Sequence, residues 1–152
     1  MAEQAAPTRP GRPRFNHVAM SLPADALDER GRQEIVGFYH EVFGWDELPT
    51  MTEDRRRLVM MAYEYTQFVF LIADDSPMQA PRLDHFGMGV DTEDELDEFL
   101  RRAREYQSRD SRVDLIDKHT DDYGPVAVTS FYVGYLLPMM VEVQHFSFKP
   151  TS

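Results

Sequence analysis

A strand–helix–strand pattern occurs twice in this chain, and the repeat constrains the fold more than any other feature of the sequence. The first copy begins at "FNHVAM" and the second at "LDHFGM", so each places a histidine third in a strand that precedes an amphipathic helix. Two or three further strands follow each helix. The sequence therefore predicts two units of similar size, whose sheets could face each other across a cleft.

The first unit has clear boundaries between its elements. Strand character over 14–23 precedes a helix over 28–45, whose apolar side chains recur at helical spacing and whose end is marked by Gly44. Two further strands, 56–65 and 66–75, follow as a predicted hairpin.

The second unit repeats this order. A strand over 82–90 leads into a helix over 92–106, where Thr92 and Glu95 have the spacing of a capping box. Three strands complete the unit: 112–119, 125–135 and 139–146. We expect a flexible tail over 1–13 and a single domain over 14–148, divided into units of about 14–75 and 82–148.

Composition excludes several classes of function. The net charge of −11 disfavours binding to nucleic acid, because such a surface repels phosphate. No apolar run approaches the roughly 18 residues of a membrane span. The absence of cysteine excludes a thiolate nucleophile and a cysteine-ligated metal, and it fits the cytoplasm, which is the predicted location. A small molecule is therefore the expected partner.

Three residues suggest a metal site. His17 and His85 lie in the opening strands of the two units, and Glu142 is a carboxylate within an otherwise apolar strand. Two histidines and one carboxylate can hold a divalent ion on one face and leave other positions open. The alternative is that both histidines are ordinary strand residues and Glu142 lies on a solvent-facing edge. The residues alone leave both interpretations open.

A family resemblance favours the metal site. The stretches that carry it are "FNHVAMSL", "FYHEVFGW", "LDHFGMGVDTEDELDEFLRRARE" and "YGPVAVTSFYVGYLLPMMVEV". From about residue 14 to 147 the chain resembles the vicinal oxygen chelate superfamily, which includes glyoxalases, extradiol dioxygenases and bleomycin-resistance proteins. The resemblance implies an α+β fold in which two tandem βαβββ units form a half-open, barrel-like mixed sheet around a central cavity. It also implies that His17, His85 and Glu142 are the metal ligands.

The resemblance suggests further site residues. Extradiol dioxygenases carry a tyrosine ten residues before the ligand glutamate, and Tyr132 holds that place, although a core tyrosine is an equal alternative. His119, on a predicted loop, could serve as their acid–base histidine only if that loop folds inward. Glyoxalases add a fourth ligand on the last strand of the first unit, where Gln67 is the candidate and a strand-end amide is its alternative. The apolar "YLLPMM" replaces the family's usual polar turn, which suggests that a partner subunit covers it or that it packs beside the pocket.

The predicted function is therefore metal-dependent catalysis on a small organic molecule with adjacent oxygens, in a cytoplasmic homodimer. Ring-cleaving dioxygenase chemistry with Fe(II) is favoured, and the same ligands accept manganese, zinc, nickel or cobalt. A glyoxalase-like lyase or isomerase and a non-catalytic, drug-resistance-type binding protein are the alternatives.

Overall fold

A computed structural model describes residues 11–151, which form two similar halves. The first half comprises β1 (His17–Leu22), α1 (Glu29–Phe43), β2 (Asp46–Glu47), β3 (Arg57–Met61) and β4 (Phe68–Ala73). The second half comprises β5 (His85–Val90), α2 (Glu93–Arg109), β6 (Asp114–Asp122), β7 (Val126–Gly134) and β8 (Met140–Phe148). Most of the predicted tail, residues 1–10, lies outside the described residues, and the predicted domain boundaries stay predictions.

Each half contains one four-stranded mixed sheet. The strand orders are β1-β4-β3-β2 and β5-β8-β7-β6, so the first strand of each half pairs with its last. That pairing is parallel in both sheets, and the other pairings are antiparallel. The predicted α+β fold with two βαβββ units is confirmed, with the qualification that the two sheets do not close into one barrel.

Local sequence explains where the helices begin and end. The Asp28 carboxylate accepts a hydrogen bond from the Gly31 amide at the start of α1, at 2.7 Å. Gly44 ends the helix with a left-handed φ of 74°, as its position in the sequence predicted. The capping box of Thr92 and Glu95 is present at the start of α2.

Side-chain alternation gives each sheet a core face and an open face. In β8, Val141 and Val143 belong to the hydrophobic core, whereas Glu142 between them points to the opposite face. In β1, Met20 and Leu22 belong to the core, and His17 lies on the other face. We call the faces that carry His17 and Glu142 the first and second open faces.

The two halves share one core through their helices and the β7–β8 turn. The Tyr39 hydroxyl donates to the carbonyl oxygen of Tyr135 at 2.9 Å, and the Phe38 and Tyr135 rings stack 4.5 Å apart. Burial raises the pKa of Tyr39, so this hydroxyl stays protonated and able to donate. Leu136 and Leu137 pack against the same core. The apolar turn "YLLPMM" is therefore covered in large part by the chain's own helices and core.

Candidate metal centre

The second open face brings together two of the three predicted ligands. Because β5 and β8 are parallel neighbours, His85 lies beside Met140, and Gly87 lies beside Glu142. His85 Nε2 is 3.1 Å from Glu142 Oε2. Glu142 is only 6% exposed and is the one buried charged residue among residues 11–151. The alternative of a solvent-facing carboxylate therefore does not apply.

The two ring nitrogens of His85 have different partners: a backbone carbonyl on one side and the Glu142 carboxylate on the other. His85 Nδ1 is 2.7 Å from the carbonyl oxygen of Leu83, and a carbonyl oxygen can only accept. Nδ1 therefore carries a hydrogen, and Nε2 is the nitrogen that faces Glu142. Two acceptors 3.1 Å apart are unfavourable unless a cation lies between them. That cation is a proton or a metal ion.

The donor set fits a divalent metal ion. Neutral imidazole and carboxylate are good ligands for first-row metals, and a second-shell carbonyl typically holds the ligating ring in this orientation. Two ligand atoms bound about 2.1 Å from one ion at roughly a right angle lie about 3.0 Å apart. The separation between His85 Nε2 and Glu142 Oε2, 3.1 Å, is close to this value.

Tyr132 adjoins the pair, as its position in the sequence suggested. It lies opposite Glu142 in the β7–β8 register, and its ring meets that of His85 edge-on, with centroids 5.0 Å apart. Burial raises the pKa of Tyr132, and a hydrogen bond to Glu142 raises it further. The phenol is therefore neutral and can donate a hydrogen bond. Its catalytic role stays a prediction.

The prediction that His119 lies on a loop is wrong, because the strand predicted over 112–119 continues past His119 to Asp122. His119 is part of strand β6, which pairs with β7 so that His119 lies opposite Ser130. Its ring is nearly parallel to that of Tyr132, at 6.2 Å, and its Nε2 is 3.4 Å from Asp121 Oδ2. The residue reaches the second open face through strand pairing, so no loop needs to fold inward.

His17 and Gln67 line a cavity of about 490 Å³ that His85 also borders. The His17 ring stacks on Phe68 at 4.9 Å, and its Nδ1 is 2.7 Å from the side-chain oxygen of Asn16. Gln67 lies just before β4, in the turn that follows β3. Within residues 11–151 of one copy, no three histidine, aspartate or glutamate side chains are close enough to hold one ion. His17 therefore does not join His85 and Glu142 in a single copy.

Three positions at the site escaped the sequence analysis. Asn16 and the carbonyl group of Leu83 orient the two histidines, and Ser130 is buried on the second open face, two residues before Tyr132 on β7. Asn16 is adjacent to His17 in the sequence, which is the only signal that could have indicated it. A backbone carbonyl leaves no such signal.

Comparisons with known proteins agree on the fold. No protein-family model matches the chain, and no curated protein matches its sequence. The lactoylglutathione lyase of Agrobacterium tumefaciens is structurally similar, with a TM-score of 0.61 and 17% identity over 89% of this chain and 95% of that one. A glyoxalase family protein from Bacillus anthracis also has a TM-score of 0.61, with 20% identity over 92% of this chain and 100% of that one.

A third similar structure is the genomically encoded fosfomycin resistance protein FosX of Listeria monocytogenes. Its TM-score is 0.57, with 12% identity over 89% of this chain and 94% of that one. Identities this low describe the fold and not the activity. The two βαβββ halves and these similar structures together establish that the chain has the fold of the vicinal oxygen chelate superfamily.

Proposed function

We propose that this protein is a metal-dependent enzyme that acts on a small organic molecule through two adjacent oxygen atoms. His17, His85 and Glu142 are the proposed ligands of a divalent ion. The observation that carries the proposal is the contact between His85 Nε2 and Glu142 Oε2, two acceptors held 3.1 Å apart on a largely buried carboxylate. A bound cation would turn this unfavourable contact into two favourable ones.

A structural neighbour supports a divalent metal. A mutant of FosX was crystallised with Mn(II) and dihydroxypropylphosphonic acid. A metal bound here would act as a Lewis acid that orients and polarises the substrate oxygens. Fe(II) is our preferred ion because of the dioxygenase resemblance, and manganese, zinc, nickel and cobalt suit the same ligands.

A homodimer would complete the ligand set. His17 keeps Nε2 free, because Nδ1 bonds to Asn16, yet it does not join His85 and Glu142 in one copy. Large apolar side chains are exposed on both open faces, including Ile72 at 44% and Phe146 at 47%. Such patches mark interaction surfaces. We propose that the first open face of one copy covers the second open face of its partner and brings His17 to the ion.

The neighbouring side chains suit oxygen chemistry better than isomerisation. The neutral Tyr132 would donate a hydrogen bond to a substrate oxygen, and His119 beside it could accept or return a proton. An isomerase needs a carboxylate base near the ion, whereas Gln67, the candidate for the additional ligand of glyoxalases, is an amide. Ring-cleaving dioxygenase activity is therefore our first choice, ahead of a lyase or isomerase.

Metal analysis of protein purified without a histidine tag tests the proposal. We expect one divalent ion per site in the wild type and loss of most of it in Glu142→Gln, which keeps the side-chain shape but removes the charge. His40→Asn is the matched control, since His40 is bonded to the Trp45 carbonyl and lies outside the proposed site. Wild-type protein that contains no metal, and takes none up after chelation, would contradict the proposal.

A second assay separates the proposed activities. Fe(II) is added anaerobically, followed by catechol and then air, and oxygen consumption is recorded. Consumption of oxygen with opening of the ring supports the dioxygenase. Metal and catechol binding without turnover would instead identify a binding protein.

A further inference from the structure

Among residues 11–151, the lining of the cavity beside His17 and His85 includes no aspartate, glutamate, lysine or arginine. Its lining is mainly apolar and aromatic, with Phe15, Phe68, Phe86 and Met88 among the larger side chains. The hydrogen-bonding side chains of the lining are those of two histidines and three other polar residues: His17, His85, Asn16, Tyr63 and Gln67. A ligand in this cavity would therefore find dispersion contacts and a few neutral polar partners.

The lysine and arginine side chains from Arg30 onward already have acidic partners. Every lysine and arginine from Arg30 to Lys149 has a carboxylate oxygen within 4.0 Å. Exposed pairs of this kind contribute little to stability, but they do lower the local positive potential. The net charge of −11 further disfavours the approach of an anion.

Arg82 and Arg57 adjoin the open faces, and both are engaged. Arg82 precedes the strand that carries His85, and its guanidinium binds both carboxylate oxygens of Asp114, at 2.7 and 2.8 Å. Arg57 lies opposite Ile72 on the first sheet, where its Nε donates to the Met51 carbonyl at 2.6 Å.

We propose that the substrate is an uncharged, planar, largely apolar molecule whose only polar recognition is through its adjacent oxygens. This inference rests on the proposed function and narrows it to one class of substrate. Burying a carboxylate or phosphonate without a cationic partner is costly, so such groups would be rejected. The substrate class therefore differs from fosfomycin, which is a phosphonate, and from glutathione conjugates, which carry carboxylates.

A matched pair of probes tests the proposal. 4-Methylcatechol and 3,4-dihydroxybenzoate share the same adjacent hydroxyl groups and differ in a methyl or a carboxylate at one ring position. Titration calorimetry on the Zn(II)-loaded protein gives both Kd values, since zinc binds catechols without oxidising them. We expect the Kd of 4-methylcatechol to be lower by about tenfold or more.

The same pair is compared on the metal-free protein by ligand-observed NMR. This measurement separates the proposed function from the proposed substrate class. Failure to take up zinc contradicts the proposed function, whereas the metal-free comparison still measures whether the cavity prefers the uncharged probe. Equal or tighter binding of 3,4-dihydroxybenzoate in either form would overturn the inference. Binding of neither probe in either form would also overturn it.

Substitutions at Gln67 give a gain-of-binding test. Gln67→Lys adds a cation at the cavity wall and should narrow or reverse the preference for 4-methylcatechol, whereas Gln67→Met, of similar length and uncharged, should preserve it. Tyr63→Lys is a second variant at an exposed position of the same wall. Arg109→Ala should leave the ratio of the two Kd values unchanged, because Arg109, at the end of α2, lies outside the lining. An unchanged ratio in both lysine variants would contradict the proposal.

Discussion

At the scale of single residues, hydrogen bonds at Nδ1 set the chemistry of both candidate histidines. His85 bonds through Nδ1 to the Leu83 carbonyl, and His17 bonds through Nδ1 to the Asn16 side-chain oxygen. Each ring therefore leaves its Nε2 for a second partner. The two halves of the molecule therefore fix the orientation of their histidine rings with different partners: a main-chain carbonyl in one half and a side-chain oxygen in the other.

Tyr132 provides a test of catalysis that is separate from metal binding. We expect Tyr132→Phe to retain the metal ion and to slow oxygen-dependent turnover of 4-methylcatechol by about ten- to a hundredfold, the loss expected for one hydrogen bond to a charged oxygen. Steady-state kinetics and metal analysis on the same preparation measure both effects.

Tyr123→Phe is the control for this substitution. Tyr123 is 66% exposed, so removing its hydroxyl should change neither metal content nor turnover. A Tyr132→Phe enzyme with wild-type kcat and KM would show that Tyr132 only packs against His85.

The orientation of a side chain could be predicted where apolar and polar residues alternate along a strand. It could not be predicted where the strand itself forms only by pairing with a distant segment. Glu142 lies between Val141 and Val143, and this alternation alone predicts that it faces away from the core. His119 lies in the polar stretch "DKHTDD", which has no alternation because that end of β6 is exposed on both faces. Only its pairing with β7 makes it a strand, and pairing between distant segments is not visible locally.

At the scale of elements, replacing glycine by alanine should have opposite effects on stability at two positions of α1: one within the helix and one at its C-terminal cap. Gly44→Ala places a Cβ at a φ of 74°, so we expect the free energy of unfolding to fall by about 1 kcal/mol. Gly37→Ala lies within the helix, where the added Cβ meets nothing closer than the Tyr106 hydroxyl at 3.8 Å, so we expect a gain of about 0.5 kcal/mol or more.

Urea denaturation of both variants measures these changes. Because the substitution is the same, effects on the unfolded chain largely cancel between the two proteins. A Gly44→Ala protein as stable as the wild type would show that the cap does not need its left-handed conformation.

The long elements could be predicted from the sequence, and the short ones could not. Periodic apolar residues and caps identify α1 and α2, and hydrophobic runs identify the central strands. β2 has two residues, and 3-10 helices occupy Ala24–Leu27 and Pro49–Met51. Segments this short complete no period, so their conformation depends on what packs around them.

At the scale of the whole molecule, the proposed dimer can be tested by mixing inactive variants. His17→Ala and Glu142→Gln each remove a ligand from every site. In a mixed dimer, one site receives His17 from the Glu142→Gln copy and His85 and Glu142 from the His17→Ala copy. Random exchange would therefore restore about a quarter of the wild-type metal sites.

Metal content after denaturation and joint refolding of the two variants measures this recovery. Each variant refolded alone is the control and should stay metal-poor. If all three ligands came from one copy, the mixture would recover nothing above these controls, and the dimeric part of the proposal would fail.

The pairing of the first strand of each half with its last has a consequence for the order of folding. β5 carries His85, but its partner β8 follows roughly fifty residues later in the chain, after α2, β6 and β7. Contacts between such distant segments form slowly, because the loop between them must close first. During synthesis, the first half can be complete while His85 still has no neighbour. The contact between His85 and Glu142 is therefore among the last features of the chain to form, and an ion that bound there would stabilise only the finished protein.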